Sequence, residues 1–183
     1  MTTFKQFVGE VYLNAIGKKG GKEGMTVIGV DLDSPASKQL GTLQGHQVWQ
    51  QHRKQSPGAG RTHFVVLEPK NLVPTMSLSG DLKKGVLSDL GLASTPKNRV
   101  KAVDFYHYLI TKHGLTLVSD DQSPGAKRVW EKLAKLKDVT VHGWLKGKPV
   151  NVIPGEEDEA EIWTSDSTEH SVAGLKLVAT ARK

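Results

Sequence analysis

Three cationic side chains alternate along one short segment near the middle of the chain, at Lys97, Arg99 and Lys101. Guanidinium and ammonium groups bind phosphate through charge-assisted hydrogen bonds, so these side chains are able to hold phosphate by charge. The segment lies in a wider basic patch, because residues 97–148 hold 11 Lys and Arg against 5 Asp and Glu, whereas the remainder balances at 14 against 14. Such a patch suits a nucleotide cofactor or nucleic acid, and it is equally typical of a solvated helix face.

Two short segments resemble Gln-x-x-Gly-x-Gly, a pattern in which glycines let backbone N–H groups approach a pyrophosphate. The segment QSPGAG at 55–60 matches fully, but it precedes a strand and does not open a helix, so we interpret it as a β-turn. The segment QSPGAK at 122–127 departs only at its last position and joins a strand to a helix. Both an anion site and a simple capped helix start remain open there.

Metal and thiol chemistry find little support in the sequence. His46 and His52 lack the i, i+4 spacing of a metalloprotease helix, and no acidic residue has ligand spacing, so we predict no metal. The chain has no cysteine, which excludes disulfides and a cysteine nucleophile. Asp120 and Asp121 precede a predicted helix, where the helix dipole alone explains carboxylates.

Strands and two amphipathic helices must position these residues. Apolar side chains recur every three to four residues in 97–113 and in 124–137, which predicts two helices. Gly114 stands where the first helix should end, and Trp130 lies on the apolar stripe of the second. The remaining pattern predicts a polar turn over 31–39, a loop over 70–84, and strands over 25–30, 46–52, 61–69, 85–93, 115–120, 139–145 and 175–181. Hairpins followed by alternating strands and helices predict an α+β fold with both helices on one face of the sheet.

The amino-terminal residues form a separate region in this reading. Residues 1–16 have apolar positions at helical spacing, and the glycine-rich, charged segment 17–24 predicts a flexible linker before a single domain over 25–183. An isolated helix of about 12–15 residues is marginal in water. The segment therefore needs a partner surface, either on its own domain or on another chain. We favour the second and expect a protein partner or self-assembly through residues 1–16.

Membrane insertion and secretion are not expected. No segment approaches the roughly 18 consecutive apolar residues of a membrane-spanning helix. The amino terminus has no continuous apolar stretch followed by a small-residue cleavage site, so we predict no secretory signal and synthesis in the cytoplasm.

Residues 94–144 carry a family-like pattern. The second predicted helix reads Ser123-x-x-Ala126-x-x-x-Trp130, and the chain also contains FYxxLI, GLTLVSD and the opening TFKQF. This stretch resembles the GNAT superfamily of N-acyltransferases, especially phage-encoded relatives. In that family a strand leads through a phosphate-cradling turn into a helix, and a second helix with Asn-x-x-Ala-x-x-x-Tyr precedes a final hairpin. The resemblance implies a GNAT-like mixed, largely antiparallel sheet, acetyl-CoA as a candidate cofactor, and a location in the host cytoplasm or the phage virion.

The resemblance also implies roles for individual residues. Asp89, the only acidic residue of the predicted strand 85–93, becomes the candidate base, and Trp130 stands where the family has a proton-donating tyrosine. The turn before the first helix contains no glycine, and the branched Val100 should crowd a bound pyrophosphate. The implied cofactor-binding residues are Lys97, Asn98, Arg99, Lys101, Ala102 and Ser123.

Three functions follow from these observations. The missing glycines and tyrosine favour a non-catalytic GNAT-like phage protein that acts as a virion component or protein-binding module through its amino-terminal helix. The strand and helix frame keeps an acetyl-CoA-dependent N-acyltransferase as the alternative. A third hypothesis is nucleic-acid binding through Arg128, Lys132 and Lys135, which share one predicted helix face.

Overall fold

A computed structural model of the chain describes residues 30–54, 60–119, 124–145, 148–150 and 175–182. The predicted helix over 1–16, the linker over 17–24 and the strand over 25–30, apart from Val30, lie outside these residues. The helices are α1 Ala102–His113 and α2 Pro124–Ala134. The strands of the described residues are β1 Ser37–Leu43, β2 His46–Lys54, β3 Gly60–Leu67, β4 Pro74–Lys83, β5 Val86–Ser94, β6 Thr116–Ser119, β7 Val139–Leu145, β8 Lys148–Val150 and β9 Leu175–Ala181.

The chain divides into two compact units that alternate along the sequence. The first takes residues up to Asp81 and Leu90–Val100, and the second takes Leu82–Asp89 and the residues from Lys101 onward. The boundary therefore passes through the strands β4 and β5.

In the first unit, β1, β2, β3 and β4 are antiparallel neighbours in that order. Both faces of β3 are buried. Four successive residues are each at most 1% exposed: Phe64, Val65, Val66 and Leu67. Val65 and Leu67 form a core cluster with Val30. Successive strand residues point to opposite faces, so a continuous apolar run such as this one is typical of a central strand.

Two predictions for the first unit are wrong. The predicted loop over 70–84 contains the ten-residue strand β4, and the predicted polar turn over 31–39 overlaps the beginning of β1. The β4 sequence is rich in small polar residues, and three of them are buried in the strand: Thr75, Ser77 and Ser79. Hydrogen bonds to backbone carbonyls allow such burial, as Thr75 Oγ1 donates to the Val66 carbonyl at 3.3 Å.

The second unit contains the parallel pair of the mixed sheet. β5 and β6 are parallel, with Val86 opposite Thr116, and helix α1 makes the crossover between them. β9 then lies between β6 and β7, antiparallel to both, and β8 pairs with β7. Most strand pairs are antiparallel, so the predicted α+β class with a mixed, largely antiparallel sheet is confirmed.

Both helices pack on strands of the second unit. Helix α1 contacts β6, β7 and β9, and α2 contacts β7 and α1. The predicted helix over 97–113 begins five residues late, because Lys101 is an extended N-cap with φ −74° and ψ 144°. Gly114 ends α1 in the left-handed conformation with φ 64°, as its C′ position predicts.

Candidate functional site

The segment between β5 and α1 closes into a turn through its own hydrogen bonds. The Asn98 N–H donates to the Thr95 carbonyl at 3.1 Å, and the Val100 N–H donates to Asn98 Oδ1 at 3.3 Å. The Asn98 side-chain amide also donates to the Val100 carbonyl. Asparagine commonly replaces a backbone partner in this way, and this explains why the turn needs no glycine.

These bonds occupy two backbone N–H groups just before the first turn of α1. A pyrophosphate cradle requires backbone N–H groups that point at the ligand. Here the N–H groups of Asn98 and Val100 are already paired within the turn, and Val100 is only 2% exposed. Lys101 makes no side-chain cap, Ala102 begins α1, and Ser123 lies outside the described residues. An anion at this turn would meet the cationic side chains of Lys97, Arg99 and Lys101 and the uncapped first turn of α1.

Lys97 and Arg99 line a pocket of about 460 Å³ in the first unit. Part of the lining comes from this turn, and part comes from the connection between β3 and β4 and from the start of β2 and β4. The lining residues are His46, Glu68, Asn71, Val73, Pro74, Thr75, Thr95, Pro96, Lys97 and Arg99. Pockets of roughly 300–1,000 Å³ with a few polar groups are typical small-molecule sites.

Two threonines of the pocket differ in their hydrogen bonding. The Thr95 N–H donates to the Thr75 carbonyl at 2.8 Å, which ties the turn to β4. The Thr75 hydroxyl donates to Val66 within the sheet. The Thr95 Oγ1 atom is buried, and it makes no hydrogen bond to the part of the chain that the structure describes. A buried hydroxyl without a hydrogen-bond partner lowers the stability of the folded protein, so the Thr95 hydroxyl lacks a partner that would stabilise it.

The sequence predicted only part of this pocket. Lys97 and Arg99 were recognisable from their spacing, but Glu68 and Thr95 were not. Glu68 comes from the connection of two strands, one of which was predicted as a loop, so nothing in its local sequence placed it near the cations. The Glu68–Pro69 step does indicate a turn, and the Glu68 N–H donates to the Val73 carbonyl across it at 2.9 Å.

Asp89, the candidate base, lies within β5 and is exposed. Its φ is +51°, in the left-handed region that a non-glycine residue rarely adopts inside a strand. This conformation interrupts the regular strand. Aspartate tolerates it better than most residues, because its short side chain can make local hydrogen bonds.

Trp130 belongs to the core, as its place on the apolar stripe predicts. It is 1% exposed, and its ring meets Tyr106 edge-on with the centroids 6.3 Å apart. Tyr106 is 4% exposed, and this burial raises the pKa of its hydroxyl. Helix α2 therefore presents a buried indole to α1.

The basic residues of α2 lie on its exposed side. Arg128 and Lys132 are exposed in the helix, and Lys135 is exposed just after it. Lys127 pairs with Glu131 at 3.9 Å, one helical turn away. The exposed cations fit either a solvated face or a phosphate-binding face.

The described residues contain no group of three or more histidine or acidic side chains arranged to hold a metal ion. Among them, no helix is long and apolar enough to cross a membrane. No family model, curated protein or solved structure matches the chain.

Proposed function

We propose that this chain is a non-catalytic GNAT-like phage protein that acts as a virion component or protein-binding module through residues 1–16. The observation that carries the proposal is the internal pairing of the turn between β5 and α1. Because Asn98 and Val100 use their backbone N–H groups within the turn, these two groups are not directed at a ligand, and this weakens the pyrophosphate cradle that the family resemblance implies.

The buried Trp130 supports the same conclusion. Acyl transfer needs an acid that protonates the departing thiolate, and an indole N–H is a poor proton donor. With Trp130 1% exposed and packed on Tyr106, the side chain contributes to the core of the second unit. Selection for packing explains this residue without any catalytic role.

The alternative function is an acetyl-CoA-dependent N-acyltransferase. The parallel pair of β5 and β6, joined by α1 and followed by α2, has the order of elements that the family resemblance implies. Asp89 would serve as the base, and Lys97, Arg99 and Lys101 would hold phosphates by charge. This frame supports the GNAT-like architecture in both proposals.

A thiol-release assay separates the two functions. The full chain is incubated with acetyl-CoA and an amine panel of spermidine and lysine-containing peptides, and free CoA thiol is measured. We expect release at the rate of the protein-free control, for the chain and for Asp89→Asn alike. Release above that rate that Asp89→Asn abolishes would establish the acyltransferase and reject our proposal.

A further inference from the structure

We propose that the pocket between the β3 to β4 connection and the turn after β5 binds a small acidic zwitterion, with two acid groups and one ammonium group. Amino-terminal segments of acidic peptides and dipeptides with an acidic first residue belong to this class. The inference is independent of the proposed function, because it requires neither acetyl-CoA nor residues 1–16.

The charges of the lining residues select this class. Lys97 and Arg99 contribute two cations from one segment, and Glu68 contributes one carboxylate from another. A ligand that neutralises all three carries two acid groups and one ammonium. The Arg99 guanidinium can hold a carboxylate by two parallel hydrogen bonds, whereas Glu68 accepts from the ammonium.

The Thr95 hydroxyl gives a second, independent indication of a ligand. Its Oγ1 is buried at the pocket and makes no hydrogen bond to the described part of the chain, whereas the neighbouring Thr75 hydroxyl is paired within the sheet. Buried hydroxyls are normally paired. Because Oγ1 is shielded from solvent, the Thr95 side chain must turn toward the pocket for a ligand carboxylate to accept this hydrogen bond.

The size of the pocket favours a ligand larger than a free amino acid. Its volume of about 460 Å³ lies in the range of small-molecule sites, where several groups of one ligand are held at once. The apolar part of the lining, Val73, Pro74 and Pro96, can contact the carbon chain between the charged groups. A dipeptide with an acidic first residue has all of these parts.

Three dipeptides of nearly equal size test the proposal by calorimetric titration of the full chain. Glutamyl-alanine has two acid groups and one ammonium, N-acetyl-glutamyl-alanine lacks the ammonium, and glutaminyl-alanine lacks one acid group. We expect glutamyl-alanine to bind at least about tenfold more tightly than either of the others, since each lacks one charge-assisted contact.

Variants assign each preference to a residue. Glu68→Gln should make glutamyl-alanine and its acetylated form bind alike, and Lys97→Ala with Arg99→Ala should remove the preference over glutaminyl-alanine. Thr95→Val should weaken binding several-fold while the melting temperature stays equal or rises, because the variant removes an unpaired buried hydroxyl. A purely structural role for Thr95 would lower the melting temperature instead.

The matched control is Lys132→Ala with Lys135→Ala, which removes the same charge from exposed positions on and after α2. It should leave all three affinities unchanged. Equal binding of the three dipeptides, or no saturable binding of glutamyl-alanine at millimolar concentration, would overturn the proposal. An equal loss in the control variant would do the same, because it would reduce the effect to net charge.

Discussion

His63 is a buried imidazole in β3, 3% exposed, and its Nδ1 atom makes no hydrogen bond in the described residues. Burial, followed by the charges of Arg53, Arg61 and His52, lowers the pKa of His63 from its ordinary value of 6.5 to about 4. The register places Arg53 opposite Arg61 on adjacent strands, two residues from His63. The folded chain therefore holds His63 neutral beside two cations.

This histidine predicts a pH dependence of stability with a defined sign. Its folded pKa lies below the unfolded value, so the unfolded chain binds more protons between pH 4 and 6.5. The stabilisation is fully present above about pH 6.5 and is lost as the pH falls toward 4. Between pH 7 and pH 5 we expect wild type to lose about 2 kcal/mol more unfolding free energy than His63→Gln.

Urea unfolding at the two pH values measures this difference. The loss measured with His142→Gln, which removes a half-buried histidine of the second unit, is the reference for removing a histidine elsewhere in the chain. Parallel pH profiles for wild type and His63→Gln would show that His63 does not titrate as its burial implies.

Asp89 supplies a second test at the scale of a residue. Its φ of +51° favours glycine, so Asp89→Gly should be about 1 kcal/mol more stable than Asp89→Ala. Both variants lose the carboxylate and its contacts, so their difference isolates the backbone conformation. Equal unfolding free energies would mean that β5 relaxes to regular strand geometry at this position.

The packing of α2 on α1 predicts that two tryptophan substitutions differ strongly in their effect on stability. Trp130 joins α2 to α1 and is 1% exposed, whereas Trp144 in β7 is 39% exposed. Removing a buried tryptophan leaves a cavity, so Trp130→Ala should lower the unfolding free energy by about 3–5 kcal/mol. Trp144→Ala should cost about 1 kcal/mol or less. Similar costs for the two variants in urea unfolding would contradict this packing.

The elements were predictable where one physical signal dominated. β7 and β9 match their predicted bounds because their apolar pattern is clear in the sequence, and α2 begins at Pro124, the proline predicted to open it. β4 was missed because its buried serines and threonine imitate loop composition. The start of α1 was missed because the Asn98 hydrogen bonds, which form only in the folded turn, replace helical ones.

The same limit applies to the pocket. The alternating cations were visible in the sequence, and so was the lack of glycine around them. Glu68 and Thr75 join Lys97 only because β3 and β4 pair in one particular register, with Leu67 opposite Pro74. Local sequence carries no information about a register between strands when one strand is mistaken for a loop.

At the scale of the whole molecule, residues 1–16 carry the binding part of the proposed function. Deleting residues 1–20 should leave the melting temperature within about a few degrees of wild type, since the helix predicted over 1–16 would contribute little to stability if its partner is another chain. The same deletion should abolish self-association in sedimentation velocity or incorporation into particles. A large fall in melting temperature with assembly unchanged would place this segment in the protein's own core.

Calorimetric titration of the full chain with acetyl-CoA measures directly whether the chain binds this cofactor. Because the turn between β5 and α1 uses the N–H groups of Asn98 and Val100 internally, we expect no saturable heat up to about 1 mM ligand, a limit that corresponds to about 4 kcal/mol of binding free energy. Saturable binding at micromolar concentration that weakens at least about tenfold in Arg99→Ala with Lys101→Ala would contradict the account. It would show that the charges of Arg99 and Lys101 hold the cofactor, and it would favour the acyltransferase function.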